Sequence, residues 1–196
     1  MTPLDWIALA ALAIQLPIPF FWLIVHPFLP FWKQRPQTVY RVVGPATWLA
    51  VAALLVMFQE PLIAGAEPPL WAAAAGLALI FFDVALLLYL HNVFSGPRLY
   101  GQAELAADTE LFATGIYGRV RHPRYAGMMA SVAGACLVGW TPQLAVLGAA
   151  WLALALAAIH MEEKELEARF GEAYREYARR VPRFFPSLLR STKKSG

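Results

Sequence analysis

YAGMMASVAGACLVGWTPQLAVLGAAWLALALAAIHM, residues 125–161, runs for 37 positions without an Asp, Glu, Lys or Arg. As one straight helix it would extend about 55 Å at roughly 1.5 Å per residue. The hydrocarbon core of a bilayer is only about 30 Å thick. Gly139-Trp140-Thr141-Pro142 stands mid-way and is a turn signal. The stretch therefore reads as a helical hairpin, the fourth and fifth spans of a membrane protein, the fourth short and starting below the headgroups. A hairpin carries a geometric consequence: the residues just before it and just after it meet at one membrane face.

Three further apolar stretches precede the hairpin. Trp6 to Trp32 carries no formal charge, Val42 to about Ala64 has Gln59 and Glu60 only near its far end, and Pro69 to Phe94 has Asp83 as its one charge. Each is long enough to cross a bilayer. The composition agrees, with 59% hydrophobic and 15% charged residues and a mean hydropathy of +0.52, since soluble domains carry about 25% charged residues. The fold class expected is an all-α integral membrane protein of about five transmembrane helices with a C-terminal amphipathic helix. It forms one membrane domain over 1–196: three spans in 1–96, a cytoplasmic connector in 97–123, the hairpin in 124–161, and a C-terminal helix and tail in 162–196.

The net charge of +3 does not point to nucleic acid, because the basic residues flank the spans. Lys33, Arg35 and Arg41 lie between spans one and two, Arg98, Arg119, Arg121 and Arg124 between three and four, and the remaining nine of the sixteen follow Met161. The opposite loops carry only Asp5, Glu60 and Glu67. By the positive-inside rule the C-terminus is cytoplasmic, the N-terminus outside, and the location is the inner membrane. MTPLDW lacks the basic start of a secretory signal, so the first span reads as retained. Cys136, the single cysteine, permits neither an intrachain disulfide nor a Cys-based zinc site, and no metal site is expected.

At one end of the hairpin stands RVRHPRYAG, residues 119–127, and at the other HMEEKE, residues 160–165. Pro123 suits the first turn of a helix, where its missing N–H is not needed, and this puts His122 near the N-cap. Helix N-termini attract anions, and Arg121 adds a bidentate donor for a carboxylate. Glu162 and Glu163 would meet an ammonium group or hold Arg121. Tyr125 offers a ring and a hydroxyl, and Gly127 permits a close approach to the backbone. A ligand with a carboxylate, an ammonium and a flat ring suits such a set, and S-adenosylmethionine has all three. Taken singly, each residue reads as well as ordinary topology: an Arg at a helix start, glutamates opening a charged helix.

Together they resemble a known family. LFATGIYGRVRHPRYAG (111–127), a hairpin, then EEKELEARFGEAYREYARRVPRFFP (162–186) is similar to the isoprenylcysteine carboxyl methyltransferase family and its bacterial relatives. The resemblance covers about two-fifths of the chain (~40%) and rests on GxY, RHPxYxG, paired glutamates, FGxxYxxY and VPxxxP in order. It implies an S-adenosylmethionine-dependent membrane methyltransferase whose acceptor enters from the bilayer. Arg121, His122, Pro123, Tyr125, Gly127, Glu162 and Glu163 are then the cofactor-binding positions. His122 and Glu163 are the candidate bases for a phenol or amine acceptor. The basic residues that carboxyl-methylating members tend to carry before the glutamates are absent here, where Ala158, Ile159 and His160 stand. That argues against a prenylated-protein substrate and for a lipophilic small-molecule or lipid acceptor.

Asp83 is an intramembrane acid, costly and by default functional. It reads either as the partner of a connector Arg or as a catalytic group polarising an acceptor, with His91 and Asn92 two turns on. His26 and His160 read as interfacial polar groups. Four scattered histidines do not supply the clustered ligands of a di-iron hydroxylase. A haem carrier would need His26 and His91 to face one another, and a transporter or assembly factor would use the paired motifs only structurally. After Met161, Leu166, Phe170, Tyr174 and Tyr177 form the stripe of an amphipathic helix, ended by Pro182 and Pro186 and followed by a basic tail, RSTKKSG.

Overall fold

The computed structural model describes residues 1–63, 67–93 and 111–186. All regular structure among them is helical: α1 (Pro3–Gln15), α2 (Pro17–Val25), α3 (Leu29–Lys33), α4 (Pro36–Thr38), α5 (Gly44–Ile63), α6 (Leu70–Val93), α7 (Pro123–Gly139), α8 (Pro142–Phe170) and α9 (Glu172–Arg180), with short 3-10 and π turns between some of them. Parts of the connector and tail read from sequence, including Arg98, residues 101–110 and 187–196, lie outside the described residues.

Prolines punctuate the first span. Pro3, Pro17, Pro27 and Pro30 each stand in the first turn of a new segment, where no N–H is required. The rod from Pro3 to Lys33 is thus divided into segments at Leu16 and again at His26–Phe28. Thr2 opens it with a capping box: its hydroxyl accepts from Asp5 N while the Asp5 carboxylate accepts from Thr2 N, a pairing that satisfies two free donors.

Four rods are long and apolar enough to cross a bilayer: Pro3–Lys33, Val39–Ile63, Leu70–Val93 and Pro142–Phe170. The fifth segment, α7, has 17 residues, or about 26 Å. It is nonetheless the hub of the bundle, packed on α6, α1 and α8. Gly76 and Gly134 make that possible: a Cβ on either would come within 2.6 Å of the other's carbonyl oxygen. Gly76 faces Gly134 and Asp83 faces Gly127, so α6 and α7 are antiparallel in a fixed register. The same register sets Pro123 level with Leu87, and α6 runs on about 9 Å past the start of α7. The first turn of α7 is therefore recessed.

The turn joining α7 to α8 is tight. Trp140 takes a left-handed conformation (φ 49) and stacks edge-on against Trp71 with centroids 5.3 Å apart. Thr141 caps α8 by accepting from Leu144 N and donates to Leu62 O at 2.6 Å. At the opposite end of the bundle Lys33 pairs with Glu165 at 3.4 Å. The amphipathic helix expected to run unbroken from α8 is interrupted at Gly171, whose φ of 58 turns the chain back. The stripe of Tyr174 and Tyr177 then packs on Val181, Leu111 and Ala113.

Candidate functional site

Two polar centres flank the first turn of α7. The first is built on Glu163, a buried side chain on α8. His122 Nε2 lies 3.1 Å from its Oε1, Arg121 Nη1 2.8 Å from the same oxygen, and Arg183 forks across both oxygens at 3.1 and 2.5 Å. Charge-assisted, bidentate contacts of this kind are the strong ones. Glu162 points elsewhere, its carboxylate 3.8 Å from His122 Nδ1. Glu163 rather than Glu162 therefore holds Arg121.

The backbone explains how these groups converge. Pro123 opens α7 with His122 as N-cap. After α9 ends, the segment at Pro182 crosses the start of α7: Arg121 N donates to Pro182 O at 2.8 Å and His122 N to Arg183 O at 2.9 Å. The hairpin brings His122 to Glu163, and the VPRFFP segment closes the ring. His122 is 4% exposed, its ring between Tyr125 (5.9 Å) and Phe184 (6.3 Å).

Arg121 Nη1 also donates to the Tyr174 hydroxyl at 3.3 Å. Burial, and then the Glu163 carboxylate, push the Tyr174 phenol above its ordinary value against the pull of Arg121, so it stays protonated. Tyr177 is pushed up likewise, chiefly by burial, and donates to Tyr117 O at 2.8 Å. The Arg121 Nε is buried and has no hydrogen-bond partner among the described residues. Beside it opens a groove of about 530 Å³ lined by Arg121, His160, Glu163, Lys164, Tyr174 and Arg183, among others. Its size falls in the range of small-molecule sites, ~300–1,000 Å³.

The second centre lies on α6, within one of the rods long and apolar enough to cross a bilayer. Asp83, 3% exposed, forms an ion pair with Arg124, and Gln15 Nε2 donates to its other oxygen at 2.5 Å. Trp151 Nε1 donates to Gln15 O at 2.9 Å, so α8, α1, α6 and α7 are linked through one chain of contacts. Next to Arg124 is a cavity of about 300 Å³, otherwise lined by apolar and aromatic side chains such as Ile14, Phe21, Trp22, Trp48 and Met128.

The structure thus gathers Arg121, His122, Glu162 and Glu163, with Pro123 and Tyr125 beside them, and separates Gly127 and Asp83 from that group. Gly127 faces the bundle: a Cβ there would come within 2.6 Å of Asp83 Oδ1 and 3.2 Å of Leu86 Cδ2. The protein group that approaches it is the Asp83 carboxylate. Asp83 has the Arg partner that its intramembrane position demanded, and that partner is Arg124. His91 and Asn92 are exposed, and His26 is half-buried against Trp22 with centroids 5.1 Å apart. Sequence reasoning gave no role to Arg183, Tyr174 or Gln15. The available signal was the VPxxxP and FGxxYxxY spacing, which reads equally well as a helix stop and an apolar stripe.

Comparison with known proteins bears on all of this. The model of the phospholipid methyltransferase family matches residues 71–173, from the start of α6 into α9. Methanethiol S-methyltransferase 2 of Bradyrhizobium diazoefficiens is 31% identical over 169 residues, 82% of this chain and 55% of that protein. The nickel-cobalt-cadmium resistance protein NccN of Alcaligenes xylosoxydans xylosoxydans is 38% identical over 86 residues, 43% of this chain and 40% of that one. The cobalt-zinc-cadmium resistance protein CzcN of Cupriavidus metallidurans is 41% identical over 84 residues, 41% of this chain and 38% of that one. The chain spans about half the length of the curated relatives it matches, or less. No solved structure matches it at a significant level. Among the described residues no group of three or more His, Cys, Asp or Glu side chains is placed to hold a metal ion.

Proposed function

Because this chain belongs to the phospholipid methyltransferase family, we propose that it is an S-adenosylmethionine-dependent methyltransferase of the inner membrane, with the cofactor in the groove beside Glu163 and a lipophilic acceptor arriving from the bilayer. The observation that carries this reading is Arg121, which lines that groove together with Lys164, Glu163 and Arg183 and whose Nε has no hydrogen-bond partner among the described residues. A buried N–H without an acceptor is costly, and an arginine lining a groove offers its free donors to a ligand carboxylate. Arg121, which lines the groove, is the residue we assign to the cofactor's carboxylate, and Glu162, whose carboxylate lies 3.8 Å from His122 Nδ1, the one we assign to its ammonium. Glu163 has its oxygens committed to Arg121, His122 and Arg183 and acts as the post that orients the other three.

When bound, S-adenosylmethionine supplies a methyl group on a sulfonium, open to in-line attack by the acceptor's nucleophilic atom. The chain's contribution is position: holding two reactants in line removes much of the entropic barrier. A carboxylate acceptor carries no proton to lose. For a thiol or phenol acceptor, whose bond to the methyl carbon would form as the sulfonium–methyl bond breaks and the demethylated thioether leaves, His122, buried and 3.1 Å from the Glu163 carboxylate, would take the acceptor's proton. The relative named for methanethiol favours a thiol among these acceptors. The excess of basic residues at the groove's face supports a cytoplasmic site under the positive-inside rule.

The test is binding of labelled S-adenosylmethionine to the purified full chain and to His122→Ala and Glu162→Ala. Both substitutions should abolish binding. Unchanged affinity in both would refute the placement.

A further inference from the structure

The lateral cavity next to Arg124 bears on which acceptor the enzyme takes, an inference that rests on the methyltransferase reading above. Its walls come from the first span (Ile14, Ile18, Phe21, Trp22), from Trp48 on α5, and from Leu87 and Met128 on the facing helices. Arg124 is the one charged side chain among its lining residues. It lies two residues beyond His122 on the first turn of α7. Tyr125, the next residue, is buried and has its ring 5.9 Å from His122.

An unpaired arginine at the end of an apolar cavity would recruit carboxylates or phosphates. Here Asp83 cancels it, and Gln15 fixes the Asp83 carboxylate without adding charge. Gly127 leaves the room this pair needs. An anionic ligand would have to displace Asp83 or lose its own hydration against a neutral wall, and either is costly in low dielectric. A cation meets the same obstacle. At about 300 Å³ the cavity is of a size for a compact acceptor, at the low end of small-molecule sites.

We propose that this cavity seats the methyl acceptor and that Asp83, by neutralising Arg124, restricts it to compact, uncharged, apolar acceptors such as a protonated thiol or phenol, and excludes carboxylates. Asp83 is on this account a specificity-determining residue. It takes no part in the bond changes.

Photolabelling of the full chain in phosphatidylcholine vesicles tests this, using an alkyl-diazirine alcohol and the alkyl-diazirine carboxylate of the same length. A pH of about 9 keeps the acid ionised. Labelling at Met128 and Trp48 is mapped by mass spectrometry and normalised to the exposed residues Val56 and Phe81. In the wild type the alcohol should label the cavity about tenfold more than the carboxylate, the scale of one charge-assisted contact. Asp83→Asn, which uncovers Arg124, should reverse that preference, and Asp83→Asn combined with Arg124→Gln should restore it. Equal cavity labelling by the two probes in the wild type would overturn the proposal. So would cavity labelling no stronger than that of the lipid-facing residues, or an Asp83→Asn protein that still favours the alcohol. Should Asp83→Asn not fold, Arg124→Gln alone must exclude the carboxylate at least as strongly as the wild type; admission of the acid by that variant also overturns it. Binding of labelled S-adenosylmethionine is measured separately: its absence in the wild type defeats the methyltransferase reading and leaves the cavity's charge preference to stand or fall by the probes.

Discussion

Glu163 and Asp83 are the same kind of group in two different settings. Both are carboxylates buried beside the first turn of α7, and each holds an arginine, Arg121 just before the His122 N-cap and Arg124 within the turn. Around Glu163 there are a second arginine, a histidine, a second carboxylate and a groove of about 530 Å³. Around Asp83 there are an amide, a glycine and an apolar cavity. A centre with more than one charge of each sign and an unsatisfied donor is suited to a charged ligand. A centre with one charge of each sign, both spoken for, rejects charge. The difference lies in the neighbours, because a paired arginine offers only those donors its carboxylate leaves free.

Removing Glu163 is the strongest way to break the comparison. Glu163→Gln leaves Arg121 and Arg183 without their anion, and losing one partner of a buried charge pair is worth about 3–5 kcal/mol. Arg183 is half-exposed, so the lower end applies, and binding of labelled S-adenosylmethionine should fall about a hundredfold. Affinity within a factor of about three of the wild type would show that Glu163 orients nothing. Arg183→Lys keeps the charge but loses the fork. It should weaken the same binding about tenfold, as one charge-assisted hydrogen bond implies.

Gly127→Ala sharpens the contrast from the other side. The added methyl would lie 2.6 Å from Asp83 Oδ1, and overpacking of this kind costs about 1–3 kcal/mol. Thermal unfolding in detergent should register that loss while cofactor affinity changes less than about twofold. A large loss of affinity with normal stability would instead return Gly127 to the cofactor site. Tyr174→Phe, which deletes the hydroxyl that accepts from Arg121, is the mildest change. A single hydrogen bond to a charged group predicts a several-fold rise in the cofactor Kd, on the order of fivefold, measured by titration calorimetry.

What was legible in the sequence follows from period and length. A charge-free run too long for one span, broken by Gly139-Trp140-Thr141-Pro142, forces a reversal, and the reversal places residues 122 and 163 at one end. The structure has their side chains 3.1 Å apart. The partners that come from elsewhere in the fold were not legible. Arg183 reaches Glu163 because Gly171 turns the chain and the segment at Pro182 pairs with the backbone of Arg121, which no helical period reports. Gly127 looked open because its neighbour in space, Asp83, is 44 positions away in the chain, and only the α6–α7 register brings them together. The first span is likewise broken at Pro17, Pro27 and Pro30 and lines a cavity with Ile14, Ile18, Phe21 and Trp22, where hydropathy reads only one more crossing.

The most direct test of the central claim is ultraviolet cross-linking of labelled S-adenosylmethionine to the full chain, followed by peptide mapping. Label confined to the peptides carrying residues 119–127 and 160–183 is the result expected. Label on the first span or α5, or no label at saturating cofactor, would contradict it.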